Sequence, residues 1–321
     1  MNWKKEYIAK LGCVNVEELQ IEAALAIKLE NMPKQLYKYR STSDNAINNL
    51  ENDTVWLNSP SEYNDPFEFT EYIDSEKYSI VIENSMKDEL ISDLVRNNPV
   101  PNEILEKAKN SDSALKVIAE YQFIHIDGQD EKYVEIFMKI YDDFFKKFAN
   151  DRNGEKIKEM QEHMKVCSFC ESPEQLLMWS HYSDFHKGFC VEYNIGAWAI
   201  NDNRRRILYP VIYQDNFYDV TGHLIKQTES GHFNNLYPII SGATKSKEWE
   251  YEKEWRFIFN IGPSFEKQNY SMNCQSKVFL GSRMNSSDKE RILEICRRKN
   301  IEVYQAKTSV SHYKMEFILI T

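Results

Sequence analysis

Trp249–Asn260, W-E-Y-E-K-E-W-R-F-I-F-N, gathers side chains that could do chemistry into one short stretch. From Glu254 onward polarity alternates. Glu254, Arg256 and Ile258 share one face, while Trp255, Phe257 and Phe259 share the other, the period of a half-buried strand. A carboxylate at the mouth of a rigid strand can stabilise a developing cation. A second one two residues earlier, Glu252, can take a proton. The competing arrangement is structural, with Glu254 and Arg256 pairing on a sheet face. Arg40 presents a planar fork suited to phosphate, or to an ion pair with Asp65 or Glu68. Cys167 and Cys170 form a C-x-x-C with His181, His186 and Cys190 downstream. A closed zinc site needs four converging ligands, and a strand-to-helix context spreads these apart. His181, Asp184, His186 and Glu192 suggest instead a divalent-metal site for phosphodiester hydrolysis, although His181 and His186, five apart, do not share a helical face. Cys190, inside an apolar strand, reads as a small buried hydrophobe.

The 321 residues are 42% apolar and 13% aromatic, with few glycines and prolines, so the chain is globular rather than collagenous or disordered. A net charge of -10 leaves no diffuse attraction to nucleic-acid phosphates. The one dense basic run, Asn203–Ile207, is expected to be a solvated loop. No apolar run approaches the roughly 18 to 20 residues that cross a bilayer. The opening M-N-W-K-K-E-Y lacks a signal-peptide apolar region, and six irregularly spaced cysteines suit a reducing compartment. The expected location is cytoplasmic.

Periodicity places the elements that must hold these residues. A helix is expected from a cap at Asn15 to Pro33. Strands follow at 35–40 and 54–57, flanking a short helix capped within Ser41–Asp44. A turn-rich loop, Ser59–Glu68, has its path set by two prolines. Residues 74–163 turn helical and charged, with a break at Asn98–Pro101. There Tyr133, Ile136, Phe137, Ile140, Phe144, Phe145 and Phe148 recur at helical spacing and are expected to be core. Strands resume at 165–169, followed by a helix started by Ser172-Pro173, a strand at 188–193 and another within 206–213. Residues 215–245 are ambiguous. Lys277–Leu280, a helix from Ser287 to Lys299, and strands near 301–304 and 314–320 complete the chain. The expectation is one α+β domain spanning 1–321, with a mostly antiparallel sheet and a large helical insertion at about 74–163.

The order of Tyr37-Lys-Tyr-Arg40, Trp56–Glu68, Cys167-Ser-Phe169, Met178-Trp-Ser-His-Tyr182, Lys187–Glu192, Glu252-Lys-Glu-Trp-Arg256 and Phe279-Leu-Gly281 resembles a bacterial family of uncharacterised domains. Strand, helix, strand and turn from Leu36 to Asp65 is similar to the opening of the ADP-ribosyltransferase fold. One branch of that superfamily carries an arginine on its first strand, a serine on a middle strand and Glu-x-Glu before a later one. Arg40, Ser168 and Glu252-Lys253-Glu254 fall in that order, but the Ser-Thr-Ser triplet of the middle strand is missing.

The resemblance implies an ADP-ribosyltransferase-like sheet and NAD as a substrate, with transfer of ADP-ribose to protein, nucleic acid or water. It further implies a toxin or phage-defence setting. Glu254 would stabilise the oxocarbenium-like ribose and Glu252 would orient or deprotonate the acceptor. Arg40 would hold a phosphate, and Tyr39 or Tyr182 would stack on nicotinamide. Ser168 and His181 would line the pocket, with Asn64 and Asp65 in a substrate loop; no metal is expected. Two rivals stand beside this reading. One is a metal-dependent nuclease built on His181, Asp184 and Glu192. The other is an interaction module whose helical insertion binds a partner protein.

Overall fold

In a computed structural model, residues 3–97, 100–260 and 269–321 are described. Eight strands build the main sheet: β1 (Leu36–Arg40), β2 (Met164–Cys170), β3 (Phe189–Tyr193), β4 (Leu208–Pro210), β5 (Glu254–Asn260), β6 (Gln275–Leu280), β7 (Glu302–Thr308) and β8 (Met315–Leu319). Their spatial order is β8-β7-β6-β3-β1-β2-β5-β4. Among these neighbours β6 and β7 run parallel and the other pairs antiparallel, so the architecture is mixed α and β with a mostly antiparallel sheet. The short strand Thr54–Trp56 lies outside this sheet and pairs with Asn269–Ser271.

The strand alternation divides the core. One face carries Leu36, Cys167, Phe169, Val191, Trp255 and Phe257. It is covered by the helix Asp44–Asn52, through Ile47 and Leu50, and by the helix Ser286–Lys299, through Ile292 and Ile295. The other face gathers Tyr39, Cys170, Cys190 and Phe279 under Met178 and Trp179 of the helix Leu176–Tyr182. Farther along it, Val166 and Ile258 pack on Phe69. Cys167 and Cys170 therefore point to opposite faces, which removes the C-x-x-C as a zinc pair.

Two motif glycines are explained by space. A Cβ at Gly188 would sit 1.9 Å from the Arg40 carbonyl oxygen, and one at Gly281 would sit 2.2 Å from that of His186. Just before Gly188 the chain makes a left-handed turn through Asp184, Phe185 and His186, whose φ values are 47°, 53° and 70°. Such a conformation is unfavourable for side-chain-bearing residues. The bonds Gly188 N to Ser183 O at 2.7 Å and His186 N to Trp179 O at 3.1 Å hold it in place.

The described elements between Tyr72 and Met164 are all helical, ending in a long helix, Glu131–His163. Of the break expected at 98–101, residues 98 and 99 lie outside the described residues; helices end at Asn97 and restart at Asn102. The aromatic stripe on the long helix departs from expectation. Phe145 is buried, but Tyr133, Ile136, Ile140 and Phe144 face solvent. Only the side carrying Val134, Phe145 and Ala149 meets neighbouring elements, so a single stripe serves two faces.

Other corrections are local. The helix expected from Asn15 is a single 3-10 turn, with regular helix only from Ile21 to Asn31. Ser172 does not cap the helix that follows: its hydroxyl accepts from Glu174 N in a turn, and the helix opens at Leu176. The basic run is a one-turn helix, not a solvated loop. Arg204 grips Asp202, Arg205 donates to the carbonyls of Ala199 and Trp198, and Arg206 meets Glu22. No helix among the described residues is long and apolar enough to cross a membrane.

Gly281→Ala drives a methyl into backbone that cannot retreat and is expected to cost about 2–3 kcal/mol in urea unfolding. Gly154→Ala, where a Cβ meets nothing within 4 Å on the long helix, is expected to stabilise by roughly 0.5–1 kcal/mol.

Candidate active site

β1 and β2 touch at a single pair, Tyr37 with Cys170. Beyond it the strands part, and a cavity of about 450 Å³ opens in the split. Lys38, Tyr39 and Arg40 line one wall, and Val166, Ser168 and Phe169 another. Asn58, which bridges to Val166 through backbone bonds of 2.8 and 2.9 Å, lines it with Tyr63 and Asn64. His181, Tyr182, Lys245, Glu252 and Glu254 complete the charged end. The volume falls within the range of small-molecule sites.

That end is a buried ionic chain. Arg256, fully buried, donates Nη1 and Nη2 to the two oxygens of Glu68 at 2.6 and 2.7 Å. It also donates Nε and Nη2 to Glu254 at 2.7 and 3.0 Å, and Nη1 to the Gly242 carbonyl at 2.8 Å. Lys245 Nζ lies 3.3 Å from Glu254 Oε2 and 2.7 Å from Glu252 Oε2. The other oxygen of Glu252 accepts from the Tyr182 hydroxyl at 2.7 Å, and Asn64 Nδ2 approaches that hydroxyl at 3.5 Å. Three buried carboxylates thus face two buried cations, and one negative charge has no counter-charge within the chain of bonds.

The two glutamates are not equivalent. Burial raises the Glu254 carboxyl, but Arg256 and Lys245 outweigh it and hold the group at about 2. Burial, then the neighbouring charge of Glu254, pushes Glu252 above its ordinary value, with Lys245 and Tyr182 only partly opposing. Burial works against the charges of Lys245 and Arg256, yet the surrounding carboxylates keep both above their usual range. Backbone geometry sets this asymmetry. Glu252 ends a 3-10 helix, Lys253 is left-handed at φ 44°, and Glu254 opens β5. The two carboxylates therefore come from different elements, not from one regular strand.

The other residues singled out by the sequence distribute as follows. Glu254 pairs in register with Cys170, and Cys170 with Tyr37, so Glu254 and Tyr37 share a face of the sheet. Arg40, three residues along β1, projects from the opposite face and donates Nη2 to Asn49 Oδ1 at 2.7 Å. Neither Asp65 nor Glu68 is its partner. Both Arg40 and Glu254 still line the cavity, because the split opens it to both faces. Tyr39 is largely buried and donates to the Ser172 carbonyl at 3.0 Å. Ser168 Oγ is buried near Tyr63 and Glu254 without a formed hydrogen bond, and Asn58 Oδ1 is likewise buried and unpartnered. His181 is exposed at the mouth, with Nδ1 3.4 Å from the Tyr251 hydroxyl. Asp65 does not line the cavity; Oδ1 accepts from Phe67 N and fixes the turn.

The nuclease constellation does not assemble. Glu192 accepts from Tyr37 and Ser276 on the sheet, while Asp184 stands exposed in the left-handed turn. Among the described residues no group of three or more His, Cys, Asp and Glu is placed to hold a metal ion. Sequence reasoning missed Glu68, Lys245, Tyr63 and Asn58 as site residues. Glu68 closes the N-D-P-F-E motif and could have been found there. Lys245 sits in an ambiguous stretch with no such signal.

Arg256→Met would leave Glu68 and Glu254 buried with the single charge of Lys245, at 3.8 and 3.3 Å, to answer both, costing about 3–5 kcal/mol at neutral pH. Glu254 is held below its ordinary 4.5, so its contribution is complete above that value and fades as pH falls toward about 2. In urea titrations, the stability gap between wild type and Arg256→Met should therefore narrow over that window.

A family described as a protein of unknown function, DUF2971, matches residues 178–257. This span holds His181, Tyr182, Lys245, Glu252, Glu254 and Arg256, and ends before β6. No curated protein and no solved structure matches the chain.

Proposed function

We propose that the split-sheet cavity binds NAD and that the protein is an ADP-ribosyltransferase-like enzyme, on an ADP-ribosyltransferase-like sheet. The observation that carries this reading is the uncompensated negative charge at the buried end of the cavity. Nicotinamide in NAD is a cation, and as its glycosidic bond breaks that charge moves onto the ribose C1′ and ring oxygen. A site with fixed excess negative charge, shielded from water, favours that transition state over neutral ligands.

The residues divide the work as their bonding suggests. Glu254, gripped by Arg256 and Lys245, is a positioning group that keeps Lys245 and the start of β5 in place. Glu252 is the reacting carboxylate, since its contacts are Lys245 and the Tyr182 hydroxyl. It accepts a hydrogen bond from the ribose 2′-OH as the C1′–N1 bond breaks. The bonding pair leaves with nicotinamide, which becomes neutral. The acceptor oxygen or nitrogen then bonds to C1′, and its proton passes to Glu252. Burial and the neighbouring charge of Glu254 push that carboxyl above its ordinary value, the direction that makes it a stronger base. Tyr182 and His181 border the mouth. Arg40, with Lys38 beside it, offers N–H groups for the pyrophosphate from the far wall. Ser168 and Asn58 supply buried, unpartnered polar atoms. This assignment moves the reacting role from Glu254 to Glu252.

Incubation with NAD labelled in its adenylate part, with protein, DNA, RNA or water as acceptor, tests the reading. Nicotinamide release or macromolecular label is expected in wild type. Glu252→Gln should lower kcat by at least about 100-fold with an unchanged melting temperature. Glu254→Gln should lower both kcat and stability. Undiminished turnover in Glu252→Gln, or no turnover by wild type with any acceptor, would remove the proposal.

A further inference from the structure

We propose that the exposed face of the long helix Glu131–His163 is the two-fold interface of a homodimer, in which two copies of this helix pack antiparallel. The face is large-sided and apolar. Tyr133, Ile136, Ile140 and Phe144 are 49%, 49%, 63% and 57% exposed. At 3.6 residues per turn they fall within about 80° of one another and run about 16 Å along the axis. The opposite side of the same helix is already occupied, with Phe145 and Ala149 packed against Tyr78, Ile82 and Leu115. Isolated apolar residues on a surface need no explanation, but a contiguous stripe along one helix does.

The charges beside the stripe name the occupant. Along one edge run Lys132, Glu135, Lys139 and Asp143, all exposed, in the order plus, minus, plus, minus. None of the four forms an ion pair within 4.0 Å among the described residues; Asp143 feels the charge of Lys146, which itself pairs with Glu76 at 3.0 Å. In a two-fold antiparallel pair the same edge of each helix faces its copy with the order reversed. Lys132 of one copy then meets Asp143 of the other, and Glu135 meets Lys139, each contact occurring twice. The same alignment sets Ile136 opposite Ile140 and Tyr133 opposite Phe144. In a parallel two-fold pair this edge would instead face the opposite edge of the partner's stripe, so it meets its own copy only when the helices run antiparallel. That self-complementarity points to a second copy of the chain. The cavity and its ionic chain lie on other elements, so the dimer stands or falls independently of the NAD reading.

Sedimentation equilibrium from roughly 1 μM to 1 mM reads the association directly. Wild type should show a monomer–dimer equilibrium within that range. Ile140→Asp, at an exposed position that should leave the fold intact, is expected to raise Kd at least about 100-fold by placing two charges in the apolar seam. Lys132→Glu should raise it roughly ten-fold, and Lys132→Glu combined with Asp143→Lys should return it toward the wild-type value. Far-ultraviolet circular dichroism checks that each variant is folded. A wild type that stays monomeric throughout, a dimer indifferent to Ile140→Asp, or a charge swap that fails to restore association would each overturn the proposal.

Discussion

Arg256 is the side chain on which the rest of the site depends. It has no exposed surface, and its hydrogen bonds join three segments far apart in sequence: Glu68 from the turn-rich loop, Glu254 from the start of β5, and the Gly242 carbonyl ahead of the strand that carries Lys245. A buried guanidinium is tolerable only when its donors and its charge are both answered, and two carboxylates do this bidentately. The consequence is an obligation passed along the chain. Glu254 needs Lys245, Lys245 draws in Glu252, and Glu252 takes the Tyr182 hydroxyl.

This chain of bonds explains why motifs separated by nearly two hundred residues occur together. N-D-P-F-E supplies Glu68, E-K-E-W-R supplies both glutamates and the arginine, and M-W-S-H-Y supplies Tyr182. The glycines of K-G-F and F-L-G serve a different end: they let the left-handed turn after the helix Leu176–Tyr182 lie flat on backbone. Packing fixes where that helix sits, and the helix fixes where Tyr182 meets Glu252. The excess negative charge that motivates an NAD site is therefore a product of the fold, created where five charged groups are buried and one cation is lacking.

The strand β5 was legible from its alternation of polar and aromatic residues, but not as half-buried: both faces are buried from Glu254 to Ile258, the polar one because ion pairs satisfy it. The pairing of Glu254 with Arg256 was legible for the same reason, since residues two apart on a strand share a face. The split between β1 and β2 was not, because strand separation depends on partners more than a hundred residues away. Nor was Lys245, whose role comes from burial and not from any local pattern. The left-handed Lys253 was hidden too, and with it the fact that Glu252 and Glu254 leave different elements. On the long helix the aromatic period was visible, but period alone does not say which of two apolar faces meets the neighbouring helices and which is left open.

The claim most central to this account is that the buried ionic chain at one end of the cavity holds one carboxylate more than its two cations answer, a charge that a cationic ligand completes. Calorimetric titration with NAD and with NADH, whose dihydronicotinamide is neutral, tests it most directly. The account predicts tighter binding of NAD than of NADH. Equal affinity for the two, or binding of neither, would contradict it.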